Sequence, residues 1–359
     1  MDEKKYLQLA DISAQTVDGR IVNIAQEFVS SLSLMQALPW RQASDYKEDV
    51  VVFENKPSKW DPSILTNLDK GVKPSKYGFY KRTTRMGMFE DAVQFNKKTM
   101  DTIANPDIYM NRMIKAMNEK MGRYIEFALL NISDKDNPDA PDGLFPKYDV
   151  ITDIEGNVLT KDGTIASTNA APTPYVCLDA LGGKDDRRSG ALSSILVAYL
   201  DATDGLSLIY PRDSKSIGIT YHAPEPYTFR TQPDGSELMS TFASVEARLG
   251  ISLNNSLACT RIANVDPESE TSLKTAMNLL FDAYERMDAK MKARVHIFTT
   301  PKVISAMRKL QYKNIYQTTL AGVQALNLKG QVVVDGDIFT ACHSMLTTEE
   351  RVKAVDEQN

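Results

Sequence analysis

Three histidines, His222, His296 and His343, are the first residues to weigh for metal or proton chemistry. None is spaced as a ligand pair on one helix turn or strand, so no zinc-type site is indicated. His296 falls inside Val295-His296-Ile297-Phe298-Thr299, a strand pattern in which a partly buried, satisfied imidazole is expected. Cys177, Cys259 and Cys342 are odd in number and far apart, with no Cys-x-x-Cys, and read as buried apolar thiols. The run Asp134, Asp136, Asp139, Asp142-Gly143 has some spacing of a calcium loop. Pro138 and Pro141 interrupt it, and Phe145 stands where a bidentate glutamate is needed, so an exposed acidic loop is expected. Gly182-Gly183-Lys184-Asp185-Asp186-Arg187-Arg188-Ser189-Gly190 lacks phosphate-loop spacing, and its paired aspartates repel phosphate. With no Gly-x-Ser-x-Gly elbow either, no catalytic, cofactor-binding or metal-binding residue is assigned, no cofactor is expected, and the chain is not read as an enzyme.

What must be positioned is therefore a framework. A chain of 359 residues can bury a large core and suggests about two domains. With 42% hydrophobic and 25% charged residues, its composition is that of a globular protein. A net charge of −5 argues against a nucleic-acid binder, which usually shows a basic face. Ile195–Leu200 is far shorter than the ~18 apolar residues that span a membrane. Met1-Asp2-Glu3-Lys4-Lys5 has no apolar core behind it, so a cytoplasmic protein is expected.

Apolar spacing over Ile21–Leu38 predicts a helix ending before Pro39, read as a core helix or as an arm packed on a neighbour. Val50–Phe53 and Gly78–Val93 read as two extended arms of a hairpin around the Pro-, Gly- and Lys-rich tip Glu54–Tyr77. Residues 105–132 predict the clearest helix, with Asn105 as N-cap and Pro106 at its first position. Its apolar stripe is Met110, Met113, Ile114, Met117, Met121, Tyr124, Ile125, Ala128 and Ile132, and Glu126 belongs to the opposite, charged face. Strands are expected at Ser193–Leu200, Gly205–Tyr210, Glu246–Leu253 and Leu257–Ile262. Further on, Leu273, Ala276, Met277, Leu280, Phe281, Tyr284 and Met287 trace a helical face. A strand at Val295–Thr299, a Pro301-started helix from Lys302 to Leu310, and strands at Gln331–Val334 and Asp337–Cys342 complete an α+β layer. Residues 312–329 follow no pattern.

Leu178-Asp179-Ala180-Leu181-Gly182-Gly183, Ile209-Tyr210-Pro211-Arg212-Asp213-Ser214-Lys215-Ser216-Ile217-Gly218, Gly250-Ile251-Ser252 and Arg261-Ile262-Ala263-Asn264-Val265-Asp266 arrive in that order. Together they resemble the major capsid proteins of tailed bacteriophages, in the short-tailed-phage branch with the Hong Kong 97-type fold. Leu38-Pro39-Trp40-Arg41, Asn67–Lys76 and Asp142-Gly143-Leu144-Phe145 extend the resemblance, whereas Leu181 interrupts a usually tighter Ala-Gly-Gly run. The resemblance implies an α+β fold with an N-terminal arm (1–48), an extended β-hairpin loop (49–95), a peripheral domain (96–266) with a spine helix (105–132), and an axial domain (267–359). It further implies a structural subunit that self-assembles as hexamers and pentamers into an icosahedral shell around phage double-stranded DNA. The partners it implies are scaffolding protein, portal and a decoration protein, with DNA held non-specifically and no membrane, in a virion capsid assembled in the host cytoplasm. Some such capsids crosslink a loop lysine to a neighbour's asparagine. Lys56, Lys59, Lys70, Lys73 and Lys76 lie in the loop here, but lysine-rich tips are commonplace and no crosslinking residue is assigned. An encapsulin-type nanocompartment shell, or a cytoplasmic enzyme with an unrecognised site, remains as the alternative.

Overall fold

The computed structural model describes residues 14–15, 21–22, 32–43, 47–53, 79–133, 140–166, 173–182, 191–212, 218–231, 237–292, 294–318, 333–334 and 337–357. The hairpin tip with its five lysines, Asp134, Asp136 and Asp139, the loop 183–190, residues 213–217 and residues 319–332 lie outside them.

The first described segments depart from the expected helix. Ile21–Val22 pairs antiparallel with Ala14–Gln15, residues 23–31 of the expected helix lie outside the described residues, and helix α1 is Ser33–Ala37. Leu34, Met35 and Leu38 are buried, so residues 32–43 form part of the body, as the core reading of this segment expected. Strand β1 (Trp40–Gln42) follows at once. Strands β2 (Lys47–Phe53) and β3 (Phe79–Arg85) pair antiparallel from Lys47↔Arg85 to Phe53↔Phe79, which is the expected hairpin. The second arm is not one strand, however. It breaks at Met86, and β4 (Gly87–Asn96) leaves the hairpin to join a sheet. Gly87 permits the change of course, since a Cβ there would stand 2.6 Å from Pro141 Cδ.

After a short helix α2 (Lys97–Thr102) comes the spine helix α3 (Pro106–Asn131), 26 residues and about 40 Å long. Pro106 starts it as expected, but the Asn105 side chain makes no cap hydrogen bond; its backbone carbonyl accepts from Tyr109 N at 3.2 Å. The helix lies across β4 and the long strand of the first sheet. Next come β5 (Val176–Asp179), β6 (Ser193–Tyr199), β7 (Leu206–Tyr210), β8 (Ile219–His222), β9 (Thr228–Thr231), β10 (Glu237–Leu253) and β11 (Cys259–Val265). The strand read as Glu246–Leu253 is the last half of the 17-residue β10. The last third holds α4 (Glu270–Arg286), α5 (Ala289–Lys292), β12 (Val295–Thr299), α6 (Pro301–Thr318), β13 (Val333–Val334) and β14 (Asp337–Ala341). Helix α6 thus runs through 312–318, where the sequence shows no pattern.

Two six-stranded sheets result. The first has the path β8-β10-β7-β1, with β4 and β9 also paired to β10. The second has the order β13-β14-β12-β6-β11-β5. All seven residues of β6 and of β11 are buried, which is why Ile195–Leu200 reads as a continuous apolar run rather than an alternation. This second sheet takes strands from both sides of the 266/267 boundary expected from the sequence.

Candidate functional site

The structure does not bring the reactive side chains together. His222, His296 and His343 are exposed on β8, on β12 and after β14. His296 is not the partly buried imidazole expected: its side chain takes the outward position between buried Val295 and Ile297 and lies nearly parallel to Phe298, ring centroids 6.1 Å apart. Cys177, Cys259 and Cys342 are buried free thiols. Burial pushes the thiols of Cys177 and Cys342 up to about 12, where little nucleophilic thiolate forms. Asp142 pairs with Lys147 at 2.7 Å, and among the described residues no group of three or more His, Cys, Asp or Glu could hold a metal.

What the fold does assemble is a set of buried polar ties between distant segments. Arg261, in the centre of β11, is almost fully buried. Its Nε donates to Ser194 Oγ (2.9 Å), Nη2 to Glu349 Oε2 (2.9 Å), and Nη1 to the carbonyls of Phe145 (3.3 Å) and Tyr148 (3.1 Å). Ser194 Oγ also donates to Glu349 Oε2 at 2.5 Å, and the guanidinium stacks 4.6 Å from the Phe145 ring centroid. One cation therefore joins β6, the turn after the spine helix and the C-terminal segment. A cation so buried is retained only where its donors are satisfied in this way.

The recognised motifs pack against each other. Strand β5 runs parallel to β11 with Ala263 opposite Asp179, within the bulge that β11 makes against β6 between Ile262 and Val265. Asn264, at φ 58°, donates through Nδ2 to Asp179 Oδ1 (2.9 Å) and to Val352 O (3.0 Å), while its Oδ1 accepts from Val352 N (2.8 Å). Gly182 N donates to Asn264 O at 2.9 Å, and a Cβ on Gly182 would stand 2.2 Å from that oxygen. Glycine is required by this approach. The departure at Leu181 has a structural cost: it sits at φ 61°, a region that suits glycine, with Asp179 Oδ1 accepting its N–H at 2.9 Å. Gly143 is explained in the same way, since its Cβ would lie 2.3 Å from the Ile132 carbonyl that closes the spine helix.

The spine helix departs from its expected pattern in three side chains. Met113 and Tyr124, placed on the apolar stripe, are exposed, and Glu126, placed on the charged face, is 1% exposed. Beside Tyr124 a groove of 520 Å³ opens between the helix and β4, lined by Met88, Phe89, Met121, Tyr124 and Ile132, with the Lys120–Asp91 ion pair (3.1 Å) at its rim. Phe281, expected on the buried face of α4, is 52% exposed, and Phe229 on β9 is 69% exposed.

A spine helix across one sheet, a hairpin continuing into that sheet, and a second mixed sheet bearing helices define a shell-building subunit with the Hong Kong 97-type capsid fold. Residues 16–353 match the family profile described as Major capsid protein GP7, and the chain belongs to that family. It is a capsid shell subunit, so the expectation of a tailed-phage major capsid protein is borne out. Among solved structures, a chain of bacteriophage Epsilon15 is similar over 88% of this chain and 87% of its own, at 14% identity and TM-score 0.59. The procapsid of bacteriophage JBD30 matches over 89% and 95% at 10% identity and TM-score 0.40. The SrpI encapsulin of Synechococcus elongatus matches over 67% and 91% at 12% identity and TM-score 0.39. No curated protein matches the chain.

Proposed function

We propose that this subunit builds a closed icosahedral shell of hexamers and pentamers around phage double-stranded DNA, assembled in the host cytoplasm with scaffolding, portal and decoration proteins as partners. Family membership supports the shell, and one observation carries the assembly reading. Met88, Phe229 and Phe281 are more than half exposed on three separate elements, β4, β9 and α4. Large apolar side chains spread over several faces are covered when one subunit meets several copies of itself, and closed symmetry repeats each contact until no open face remains. The role is structural, without a catalytic site. The hairpin loop (49–95) and the arm (1–48) serve as intersubunit elements, although residues 32–43 and the strand β4 (Gly87–Asn96) belong to the body. The peripheral domain is the spine helix with the first sheet. The axial domain is 267–357 together with β5, β6 and β11, because those strands complete the second sheet.

Negative-stain microscopy of the purified protein, co-expressed with the phage's scaffolding protein, tests this. Uniform closed shells that package DNA are expected. Shells that package only protein cargo would mean a nanocompartment instead, and a compact monomer under every assembly condition would overturn the proposal.

A further inference from the structure

Glu126 is a buried carboxylate on the spine helix, outside both sheets. It projects from the spine helix toward α1 and the turn after β14, segments 92 and 218 residues away in the chain. Its Oε1 accepts from the amides of Leu34 (3.0 Å) and Met35 (3.2 Å), and its Oε2 accepts from Ser344 Oγ in a short hydrogen bond. Those two amides belong to the first turn of α1, whose N–H groups have no partner within the helix. Leu32, at the N-cap position, has no side-chain group to offer them. A five-residue helix cannot sustain itself in water, so α1 depends on an acceptor supplied from outside its own sequence.

Two further bonds close the triangle. Ser33 Oγ donates to Ala341 O at 2.6 Å, and Asn131 Nδ2, farther along the spine helix, donates to Ser344 O at 3.0 Å. Buried Cys342 lies within the same cluster, its thiol raised by burial and by the neighbouring Glu126 charge. Neither sheet's ladder supplies any of these bonds.

We infer that Glu126 is a latch: it clamps α1 and the turn after β14 onto the spine helix, and those two segments open and close together while the spine helix and both sheets, with the Cys342 N to Thr299 O bond of 2.9 Å, stay folded. Partial opening of this kind is a general property of folded chains, and it follows contiguous sets of mutually dependent contacts. The latch fixes where the N-terminal segment enters the body. It is a property of the free subunit and stands whether or not shells form.

Hydrogen exchange on unassembled subunits tests it, with Cys342 labelling as a second readout. In Glu126→Gln the amide oxygen still accepts from Leu34 and Met35, and Ser344 Oγ can turn to accept from the new N–H, so exchange should stay slow. Glu126→Met keeps length and bulk but accepts nothing. Leu34 and Met35 should then exchange at least tenfold faster, and Cys342 should become reactive, with the β6 and β11 amides unchanged. Ser344→Ala touches neither amide, yet it removes the hydroxyl that orients the carboxylate; about fivefold faster exchange at Leu34 and Met35 is expected for one such hydrogen bond. Should Glu126→Met fail to fold, Ser344→Ala decides the matter alone. Unchanged exchange at α1 in Ser344→Ala, or equal protection in the Gln and Met variants, would overturn the latch.

Discussion

Replacing Arg261 by methionine tests the buried polar frame most sharply. In the folded subunit the side chains of Arg261 and Glu349 are 7% and 6% exposed and joined at 2.9 Å. Removing the cation leaves the Glu349 carboxylate buried, with Ser194 as its remaining hydroxyl donor, and leaves the Phe145 and Tyr148 carbonyls without this donor. Breaking a buried pair from one side costs about 3–5 kcal/mol, because an uncompensated charge stays inside. The double variant Arg261→Met/Glu349→Met removes that charge and should recover about 2 kcal/mol or more, since an apolar replacement of both partners is often neutral. It should not recover everything, because the Phe145 and Tyr148 carbonyls lose the guanidinium donor, Phe145 O keeping the Tyr148 N–H at 2.9 Å, and hydrogen bonds to a charged donor are worth about 1.5–3 kcal/mol. Urea unfolding of unassembled subunits, compared at unchanged m-value, reads these differences. If the single-variant costs add within about 0.5 kcal/mol, or if Arg261→Met costs less than about 1 kcal/mol, the frame does not carry the stability assigned to it.

Gly182→Ala should cost about 1–3 kcal/mol by urea unfolding, because its Cβ would stand 2.2 Å from the Asn264 carbonyl where the two motifs meet; a neutral substitution would refute that packing. A disulfide-exchange reagent at pH 8 should label Cys177, Cys259 and Cys342 only slowly in the folded subunit and rapidly in denaturant, and fast labelling of native protein would contradict their burial. Burial acts to raise Asp201, but hydrogen bonds from Thr203 and from the backbone of Thr203 and Asp204 outweigh it and hold the carboxyl below its ordinary value. A lowered pKa contributes stability that is present above the unfolded value and lost as pH falls through the folded one. The stability gap between wild type and Asp201→Asn should therefore be constant near neutrality and shrink below the ordinary carboxylate range. A gap independent of pH across that range would contradict the assignment.

Local pattern made much of the fold legible. Pro106 and a 3.6-residue stripe place the spine helix to within a residue or two, and the apolar run Ile195–Leu200 marks a strand buried on both faces. The misreadings share one physical cause, contact with a second surface that periodicity along one segment cannot report. The spine helix rests on a sheet with one stripe and holds α1 and the 342–345 turn with another, so Glu126 is buried on the side the pattern gave to water. Tyr124 and Phe281 fit the apolar stripe of their helices, yet among the described residues each is left about half exposed, Tyr124 with only its edge-to-face contact to Phe89. Within the span Ile21–Leu38 read as a helix, the described residues hold a strand at Ile21–Val22 and, at its end, the short helix α1, whose acceptor comes from 92 residues away. The candidate site was legible only as motifs. Arg261, Asn264 and Gly182 were visible as family residues, but their joint role depends on the parallel pairing of β5 with β11, which no local signal encodes. Glu349 carried no signal at all, being one of 47 acidic residues, and only the fold brings it to Arg261.

The measurement that bears most directly on the central claim is cryo-electron microscopy of the protein assembled with its scaffolding protein. Closed particles are expected, reconstructing with icosahedral symmetry from hexamers and pentamers, each subunit showing the spine helix across the first sheet and the hairpin reaching a neighbour. Particles without closed symmetry, or a population that remains monomeric at 40.0 kDa, would contradict the account.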